Sequence, residues 1–341
     1  MDVTPRVWLV VLNWNNGPHT VECLDSILAV ADPAVAGVII CDNASHDGCV
    51  AQLRAWGNAR APCWLEVGTP ERGVGGDHAA VARLRAMAGP AGKVTPFVLA
   101  HTGANLGYAG GNNVGLRLVM ECGSAVDATL VLNNDTLLTP GCVSAMARRM
   151  AESEGIGMCG ATVVYHREPA SVQAFAGASF RPWFARARHL GAHARLSAPR
   201  DRAAVEQDLD YLLGAAMMVS RALLERVGLM DERYFLYYEE VDWATRAKRA
   251  GFSLAWAPDA VVLHKEGATI GSSFVPAQRS LLSEYYLVRS AVLFTRKLYP
   301  QYLPSVVMYS LVRTLRWLLA GDLKRARVRL KALLGRKATF A

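Results

Sequence analysis

One short segment of the sequence combines aromatic rings with carboxylates. Residues 234–243 read YFLYYEEVDW and contain the acids Glu239, Glu240 and Asp242. Aromatic rings stack on sugar faces, and a carboxylate held beside them can take a proton from an attacking hydroxyl. In a helix that begins near Glu239, Glu239 and Asp242 share a face, and Glu240 points about 100° away from Glu239. The acids therefore differ in role. The alternative is that they only complement a helix dipole, which does not require the aromatic rings.

Polar side chains follow several predicted buried strands. Asn13 and Asn15 come after the first apolar run, and Asp42 and Asn43 come after the second. A carboxylate and an amide in such a loop can pair with the edge of a nucleobase. The alternative is that these residues serve only as turn and helix-cap residues.

A carboxylate and a histidine also fall at predicted strand ends. Asn134 and Asp135 follow the apolar residues 130–132, and His264 ends the run 260–263. Mg²⁺ and Mn²⁺ accept one or two protein carboxylates together with substrate phosphate oxygens, and a neutral imidazole can add a second ligand. The alternatives are a helix cap for Asp135 and a structural role for His264.

The segment NLGYAGGNNVG at residues 105–115 is rich in glycine and leads into an amphipathic helix. A helix N-terminus approached by glycine favours phosphate or sugar, which makes Asn105, Gly107, Gly111 and Asn113 candidates for binding. The segment does not match GxGxxG and lacks the later acid, which argues against a nicotinamide dehydrogenase. The alternative is that these glycines serve backbone geometry alone.

Short apolar runs alternate with helical periodicity, which predicts an α/β fold with a mostly parallel sheet. In such sheets ligands bind beyond the carboxyl ends of the strands, where the polar loops fall. We expect residues 58–95 to form an insertion with one short helix, and residues 165–208 to line one side of the site. Further expected elements are a buried strand at 212–219 and helices at 221–227, from Glu239, at 277–298 and over 303–334.

The net charge of +8 is concentrated at one end of the chain. Residues 313–337 contain nine basic residues and one acid, so this tail carries the whole surplus. The rest of the chain is close to neutral, which argues against nucleic-acid binding. The tail's apolar residues fall on one helical stripe, which predicts an interfacial helix on an anionic membrane surface: Val312, Leu315, Leu319 and Leu323. The alternative is an oligomerisation or packing helix with a solvated basic side.

Targeting and redox signals are weak. The apolar run at residues 7–12 is too short for a secretion signal, and no run of about 18 apolar residues predicts a membrane span. The seven cysteines are scattered without a CxxC pair, which argues against a zinc or disulfide framework. We therefore expect a cytoplasmic protein that lies peripherally on the inner face of the cell membrane.

Taken together, the motifs resemble the family 2 glycosyltransferases, in the rhamnosyltransferase-like and galactofuranosyltransferase-like branch. The matching segments occur in the family's order over roughly residues 6–300. They are VLNWNN (11–16), CDNASHDG (41–48), NLGYAGGNNVGL (105–116), LNNDT (132–136), residues 213–252 and PDAVVLH (258–264). This resemblance implies a GT-A fold over residues 1–275 and a helical, basic, amphipathic extension over 276–341.

The resemblance also implies a reaction, the inverting transfer of a rhamnose-like or other hexose to a hydroxyl. The donor would be a dTDP-, UDP- or GDP-sugar, and the acceptor a cell-surface glycan or lipid-linked sugar. Glu240 matches the family's base, and Asp135 and His264 match its Mg²⁺ or Mn²⁺ ligands, although Asn133 replaces the metal motif's first acid. Glu239 and Asp242 complete the predicted catalytic group. The predicted nucleotide-sugar-binding residues are Asn13, Asn15, Asp42, Asn43, Asn105, Gly107, Gly111, Asn113, Asn134 and Asp135.

Two other functions remain open at this point. Because Asn133 offers no carboxylate, the chain could be an inactive partner that binds a nucleotide sugar for another transferase. A nucleic-acid-binding protein that relies on the basic tail is the other alternative, and it predicts a steep salt dependence of binding.

Overall fold

The central sheet is built from apolar runs that are buried on both faces. In the strand Val7–Asn13, Trp8 and Val10 point into one core layer, and Leu9 and Val11 point into the other. Parallel sheets need such cover on both faces, so strands of this kind lie between two layers of helices. The computed structural model describes residues 5–69, 73–74, 77–87, 94–123, 126–265, 279–338 and 340.

The strands are Val7–Asn13 (β1), Val35–Asp42 (β2), Cys63–Val67 (β3), Pro96–His101 (β4), Ala128–Asn133 (β5), Thr136–Leu138 (β6), Ile156–Tyr165 (β7), Glu168–Phe175 (β8), Gly177–Arg181 (β9), Arg186–His189 (β10), Tyr211–Leu212 (β11), Ala216–Ser220 (β12) and Ser253–His264 (β13). The helices are Gly17–Val30 (α1), Cys49–Arg60 (α2), His78–Met87 (α3), Gly107–Glu121 (α4), Cys142–Ala151 (α5), Arg202–Gln207 (α6), Arg221–Arg226 (α7), Glu239–Arg249 (α8), Leu281–Leu298 (α9), Leu303–Leu319 (α10) and Leu323–Leu333 (α11).

The described strands of the large sheet follow the order β3-β4-β2-β1-β5-β12-β7-β13-β6, with β8 paired to β7. The strands from β3 to β5 in this order are parallel, and β12 is antiparallel to both of its neighbours. The parallel register places Asn13 beside Asp42 and Asp42 beside His101. The polar loops of the first half therefore meet at one edge of the sheet.

The α/β prediction with a mostly parallel sheet is confirmed, and the expected helices in the second half are present. Three details differ. The segment 58–95 also contributes the edge strand β3, and residues 165–208, for which no elements were predicted, contain β8–β10 and α6. Strand β10 is largely exposed and rich in arginine, so it lacks the apolar alternation that predicts a strand. Residues 212–219 are divided between β11 and β12 around Gly214.

The last three helices pack against the sheet domain and against one another. Helix α11 lies along α9, where Tyr285, Val288 and Ala332 form a small core. Ser290 Oγ in α9 donates to the carbonyl of Leu236 at 2.9 Å, directly before α8. The predicted domain boundary at 275/276 lies outside the described residues.

Candidate active site

A cavity of about 630 Å³ lies where the strand ends meet the C-terminal helices. Its walls come from Asn133 at the end of β5, His264 at the end of β13, strand β10, the first turn of α8, and helices α9–α11. The segment 165–208 supplies wall residues between Tyr165 and His193, which confirms its predicted place beside the site. The C-terminal helices form part of the same wall.

The first turn of α8 presents two adjacent glutamates to this cavity. The chain enters the helix through Tyr237 and Tyr238, whose φ angles of 65° and 73° lie in the left-handed region, a strained conformation for residues with a side chain. The tyrosine hydroxyls anchor the turn, because Tyr237 donates to Ser283 Oγ at 3.0 Å and Tyr238 to a backbone carbonyl at 2.6 Å. Both Glu239 and Glu240 line the cavity beyond the end of the helix.

One oxygen of each of these two carboxylates is buried without a hydrogen-bond partner among the described residues. Glu239 is 2% exposed, and neither Glu239 Oε2 nor Glu240 Oε2 has a hydrogen-bond partner among the described residues. Burial raises the pKa of Glu240 to about 7. Burial and the neighbouring charge of Glu240 raise the pKa of Glu239 well above its usual value. At neutral pH the pair holds at least one proton, and Glu240 titrates where a general base is most effective.

A glycine opposite α8 leaves room for this carboxylate. A Cβ on Gly214 would stand 3.2 Å from Glu240 Oε1 and 3.1 Å from the Tyr108 hydroxyl. The same hydroxyl donates to the carbonyl of Gly214 at 2.6 Å. The break between β11 and β12 therefore brings the backbone of Gly214, the hydroxyl of Tyr108 and the carboxylate of Glu240 together at the cavity wall.

Asp135 and His264 face each other at the strand ends. Strand β13 pairs with β6 so that His264 lies opposite Thr136, which leaves His264 Nε2 3.2 Å from Asp135 Oδ1. His264 Nδ1 lies 2.8 Å from Gln173 Oε1, an oxygen that can only accept, so Nδ1 carries a proton. Burial raises the pKa of Asp135, but the contact with His264 outweighs it and the pKa is lowered.

A proton or a cation is needed between these two atoms, because each presents an electron pair to the other. A ring nitrogen whose partner nitrogen donates to an oxygen is the usual arrangement of a metal-binding histidine. The described residues contain no group of three or more metal-ligating side chains. Asp135 and His264 together offer one carboxylate oxygen and one ring nitrogen 3.2 Å apart, a pair of ligand types that suits Mg²⁺ or Mn²⁺ when water and substrate phosphate oxygens fill the other positions.

The glycine-rich segment is joined directly to the acidic turn. Tyr108 N donates to the carbonyl of Phe235 at 2.8 Å. Gly107 has a φ of 71°, and a Cβ there would lie 2.2 Å from that same carbonyl oxygen. Asn43 Nδ2 donates to Asn105 Oδ1 and to the Gly107 carbonyl, both at 3.1 Å. Three motifs that are distant in sequence therefore form one rigid unit.

Comparison with known proteins gives the family of the chain. Residues 5–280 match the family profile described as Glycosyltransferase like family 2. The chain belongs to the family 2 glycosyltransferases. The N-acetylglucosaminyl-diphospho-decaprenol L-rhamnosyltransferase of Mycobacterium tuberculosis is 28% identical to it over 288 residues, 79% of this chain and 78% of that protein. The dTDP-rhamnosyl transferase RfbF of Shigella flexneri is 33% identical over 107 residues, 30% of this chain and 36% of that protein.

Solved structures show the same fold at much lower identity. The mannosyltransferase PcManGT from Pyrobaculum calidifontis, in complex with GDP-Man and Mn²⁺, matches with a TM-score of 0.53 at 16% identity. The match covers 99% of this chain and 77% of that chain. An identity this low supports the fold alone, and it confirms the predicted GT-A fold of the transferase.

Asp242 is held away from the cavity of the transferase. It is fully buried, and its carboxylate pairs with Arg246 Nε at 2.6 Å and with Lys297 Nζ at 2.6 Å. The hydroxyl of Tyr234 donates to it at 3.2 Å. Glu239 therefore shares the cavity with Glu240 and not with Asp242, contrary to the helical spacing. The reason is that the cavity lies beyond the helix N-terminus, where both of the first two residues reach it.

Several predicted nucleotide-binding residues organise the loops in this structure. Asn13 is fully buried, and its Nδ2 donates to Asp42 Oδ1 at 2.8 Å and to Ser45 Oγ at 3.1 Å. Thr20 Oγ1 donates to Asn13 Oδ1 at 2.6 Å and accepts from Asn134 Nδ2 at 2.8 Å. This chain of hydrogen bonds links loops after β1, β2 and β5. Burial raises the pKa of Asp42, but its hydrogen bonds keep the pKa below the usual value.

The remaining predicted residues also make structural contacts. Asn15 Oδ1 accepts from the backbone N–H of His46 at 3.0 Å. A Cβ on Gly111 would lie 2.4 Å from Leu12 Cδ1, so this glycine permits close packing of α4 on β1. Asn113 exchanges hydrogen bonds with the backbone of Met230 at 2.9 and 3.1 Å. Their contacts with a nucleotide sugar stay predictions.

The sequence analysis missed the arginines in the cavity wall. Arg279 lines it from the segment before α9, and Arg313 and Arg329 line it from α10 and α11, although the charge pattern had assigned the tail's basic residues to a lipid surface. Gln173, the partner of His264, was missed as well. Sequence alone carries no signal for these residues, because their position depends on how the last three helices pack.

Proposed function

We propose that this transferase moves a hexose from a nucleoside-diphosphate sugar to a hydroxyl of a lipid-linked acceptor with inversion at the anomeric carbon. The observation that carries the proposal is the pair Glu239–Glu240 in the wall of a cavity that also contains His264. Glu239 is buried and Glu240 is half-buried, and the Oε2 atom of each is buried without a hydrogen-bond partner among the described residues. Buried carboxylates without partners are costly for stability, and they are found where a proton must be accepted.

In the proposed step, the ionised carboxylate of Glu240 removes the proton from the acceptor hydroxyl. The oxygen forms a bond to the anomeric carbon while the bond from that carbon to the diphosphate oxygen breaks on the opposite face. The electron pair leaves with the nucleoside diphosphate, and the proton stays on Glu240. Burial and the charge of Glu240 raise the pKa of Glu239. In the proposed step Glu239 carries its proton, which keeps a second negative charge out of the site.

The leaving diphosphate would lie at the strand ends, near Asp135 and His264. A cation bound to these two residues would neutralise the charge that develops on the diphosphate. The buried network around Asn13 and Asp42 supports this side of the site, because it fixes the loops that the nucleotide must contact.

The relatives suggest the substrates. Both sequence relatives are named as rhamnosyl transferases, and the mycobacterial protein is named for an N-acetylglucosaminyl-diphospho-decaprenol acceptor. We infer that the donor is a dTDP-hexose of the rhamnose type and that the acceptor is a sugar on a polyprenyl diphosphate. UDP- and GDP-sugars are the competing donors.

The experiment that tests the proposal is a donor screen with the whole chain and Mn²⁺, followed by NMR of the product. We expect release of nucleoside diphosphate from one nucleotide sugar with a polyprenyl-diphosphate acceptor, and an anomeric configuration opposite to that of the donor. Retention of configuration would overturn the inverting mechanism. Nucleotide-sugar binding without turnover on any acceptor would instead support the inactive-partner alternative.

A membrane surface fits the outer face of α10. Exposed apolar side chains cover this face and its surroundings: Met308, Leu311, Val312, Leu315, Leu318, Leu319, Leu323 and Trp183. Leu319 is 79% exposed and Leu315 is 52% exposed, while basic residues flank them. None of the helices described is long and apolar enough to cross a membrane. We infer that the transferase rests on the cytoplasmic face of the membrane, where a lipid-linked acceptor is available.

Flotation with vesicles that contain anionic lipid tests this placement. We expect the whole chain to float, and the double change Leu315→Gln and Leu319→Gln to reduce the bound fraction several-fold. Val94→Gln is the matched control, because Val94 is 51% exposed but lies outside this face. Equal flotation of the double variant and the control would contradict membrane contact through α10.

A further inference from the structure

The lining of the cavity has a strong surplus of positive charge. The acids among the described residues that line the cavity are Glu239 and Glu240, against five arginines: Arg186, Arg188, Arg279, Arg313 and Arg329. Three of these arginines come from the last 63 residues of the chain. Five guanidinium groups against two carboxylates leave the lining with a net positive charge, and burial favours the protonated form of both glutamates by raising the pKa of each.

A buried cluster holds part of this charge in place. Glu284 in α9 is fully buried, and Arg329 Nη1 donates to its Oε2 at 2.6 Å. Arg279 and Arg325 each place a guanidinium nitrogen 3.7 Å from Glu284 Oε1. Arg325 also pairs with Asp322 at 3.1 Å. The three guanidinium groups thus share two carboxylates, that of Glu284, which is buried, and that of Asp322, which is closer to the surface.

Arg313 adds a further charge without a carboxylate. It lies in α10, is half-buried, and donates to the Tyr309 hydroxyl at 3.3 Å. No ion pair between Arg313 and an acid occurs in the part of the chain that the structure describes. Burial lowers the pKa of Arg279 and of Arg329, even with Glu284 beside them. Arg329 is buried, and Arg279 and Arg313 are half-buried. A surplus of partly buried positive charge is costly unless an anion joins it.

The arginine wall is attached to the acidic turn. Tyr237, which sets the entry to α8, donates to Ser283 in α9 at 3.0 Å, and α9 begins two residues after Arg279. Asp135 and His264 occupy the strand ends instead. Glu240, His264 and the three arginines line the same cavity, so the cavity contains both the histidine of the proposed cation site and the arginine wall.

The surface next to the arginine wall is apolar. Phe184 lines the cavity and is 45% exposed, and its ring packs on Tyr309 at a centroid distance of 5.6 Å. Trp183 is 57% exposed beside it and contacts Tyr302. A ligand whose diphosphate meets the arginines could continue onto this surface with a hydrocarbon chain, which a nucleotide does not carry.

We propose that Arg279, Arg313 and Arg329 bind the diphosphate of the lipid-linked acceptor and so place the acceptor hydroxyl at Glu240. This inference rests on the proposed function and adds to it a second diphosphate site, on the acceptor side. Bidentate guanidinium groups match phosphate oxygens well. The donor also carries a diphosphate, so the shared chemistry has two sources that must be separated by experiment.

Arg313→Ala is the decisive variant, because Arg313 is outside the Glu284 cluster. Arg316→Ala is the matched control: it removes an exposed arginine from the same helix, outside the cavity wall. The substrates are N-acetylglucosamine on decyl diphosphate and the decyl glycoside of the same sugar, assayed without vesicles. For Arg313→Ala we expect a KM for the diphosphate acceptor raised about tenfold or more, an unchanged donor KM, and unchanged kcat/KM for the decyl glycoside.

Arg313→Lys should recover part of the acceptor affinity, and Arg316→Ala should match the parent chain. A raised donor KM would overturn the proposal, because the arginine would then serve the donor diphosphate. Equal losses on both acceptors would overturn it in favour of a structural role. Calorimetric titration of the decyl diphosphate sugar without donor keeps the two proposals apart. If Arg313→Ala weakens the binding of the decyl diphosphate sugar, the acceptor diphosphate site is supported even when no transfer occurs. If the variant binds this compound as tightly as the parent chain does, the site is refuted even when the enzyme is active.

Discussion

Glu240 and Asp242 lie two residues apart in one helix, yet the fold treats their charges in opposite ways. Asp242 is fully buried and has three partners, the side chains of Tyr234, Arg246 and Lys297. Glu240 is half-buried, and its Oε2 has no hydrogen-bond partner among the described residues. The carboxylate of Asp242 joins α8 to α9. The carboxylate of Glu240 faces the cavity, and burial raises its pKa to about 7.

The difference shows how a structural acid can be told from a functional one. A buried charge with good partners fixes the packing of its element. A buried charge without partners destabilises the fold, and it is retained where chemistry needs it. In the sequence both residues belong to a single acidic run, so only their surroundings separate the two roles.

The largest expected effect belongs to Glu240→Gln. Glutamine has the same shape but cannot accept the proton, so we expect kcat to fall by about 10³-fold. The thermal midpoint should not fall, because no partner is lost. Release of nucleoside diphosphate and a thermal melt measure the two quantities. Glu239→Gln is the control and should retain far more activity, and an active Glu240→Gln variant would refute the assignment of the base.

Asp242→Asn should show the reverse pattern. The change removes the negative charge that pairs with Arg246 and Lys297, and we expect the free energy of unfolding to drop by about 2–4 kcal/mol. The kcat of the folded protein should change little. Urea denaturation measures the first quantity. Asp231→Asn is a milder control, because Asp231 also pairs with Lys297 but is less buried. A large loss of kcat with unchanged stability would show that Asp242 acts in catalysis.

A smaller effect is expected from Glu239→Gln on stability. The pKa of Glu239 is raised in the folded protein, so the native state holds its proton to a higher pH than the unfolded chain, where the value is 4.5. Below pH 4.5 the side chain of Glu239 is protonated in both states and costs no stability. As the pH rises above that value, the unfolded chain ionises first, so the free energy of unfolding falls. The variant should therefore melt about 2–5 °C above the parent at pH 8, with the gap closing toward pH 5. A gap independent of pH would contradict the raised pKa.

The strands and loops of the first half were predictable because their signals are local. Strand β1 is a continuous apolar run that ends at Asn13, so the pattern alone indicates the carboxyl ends of the strands, where the polar loops meet. The acidic turn was predictable as a motif, and the structure brings Glu239 and Glu240 to one cavity.

The remainder of the site depends on contacts between distant segments. The helical spacing grouped Glu239 with Asp242. It could not show that the cavity lies beyond the end of the helix, because that position depends on the tertiary structure. Arg313 was assigned to a lipid-facing helix, since the sequence does not show that α10 packs on α9 and α11 and that Arg313 lines the cavity. Strand β10 has exposed arginines in place of an apolar alternation, and it is stabilised by its pairing with β9.

The pH dependence of kcat/KM for the parent chain tests the central claim most directly, because it reports on ionisation in the free enzyme. With Glu240 as the base and its pKa at about 7, kcat/KM should be constant above that pH and fall about tenfold for each unit below it. Activity measured after return to pH 8 confirms that the enzyme stays folded. A profile that stays flat to pH 5 would contradict the assignment of Glu240 as the catalytic base.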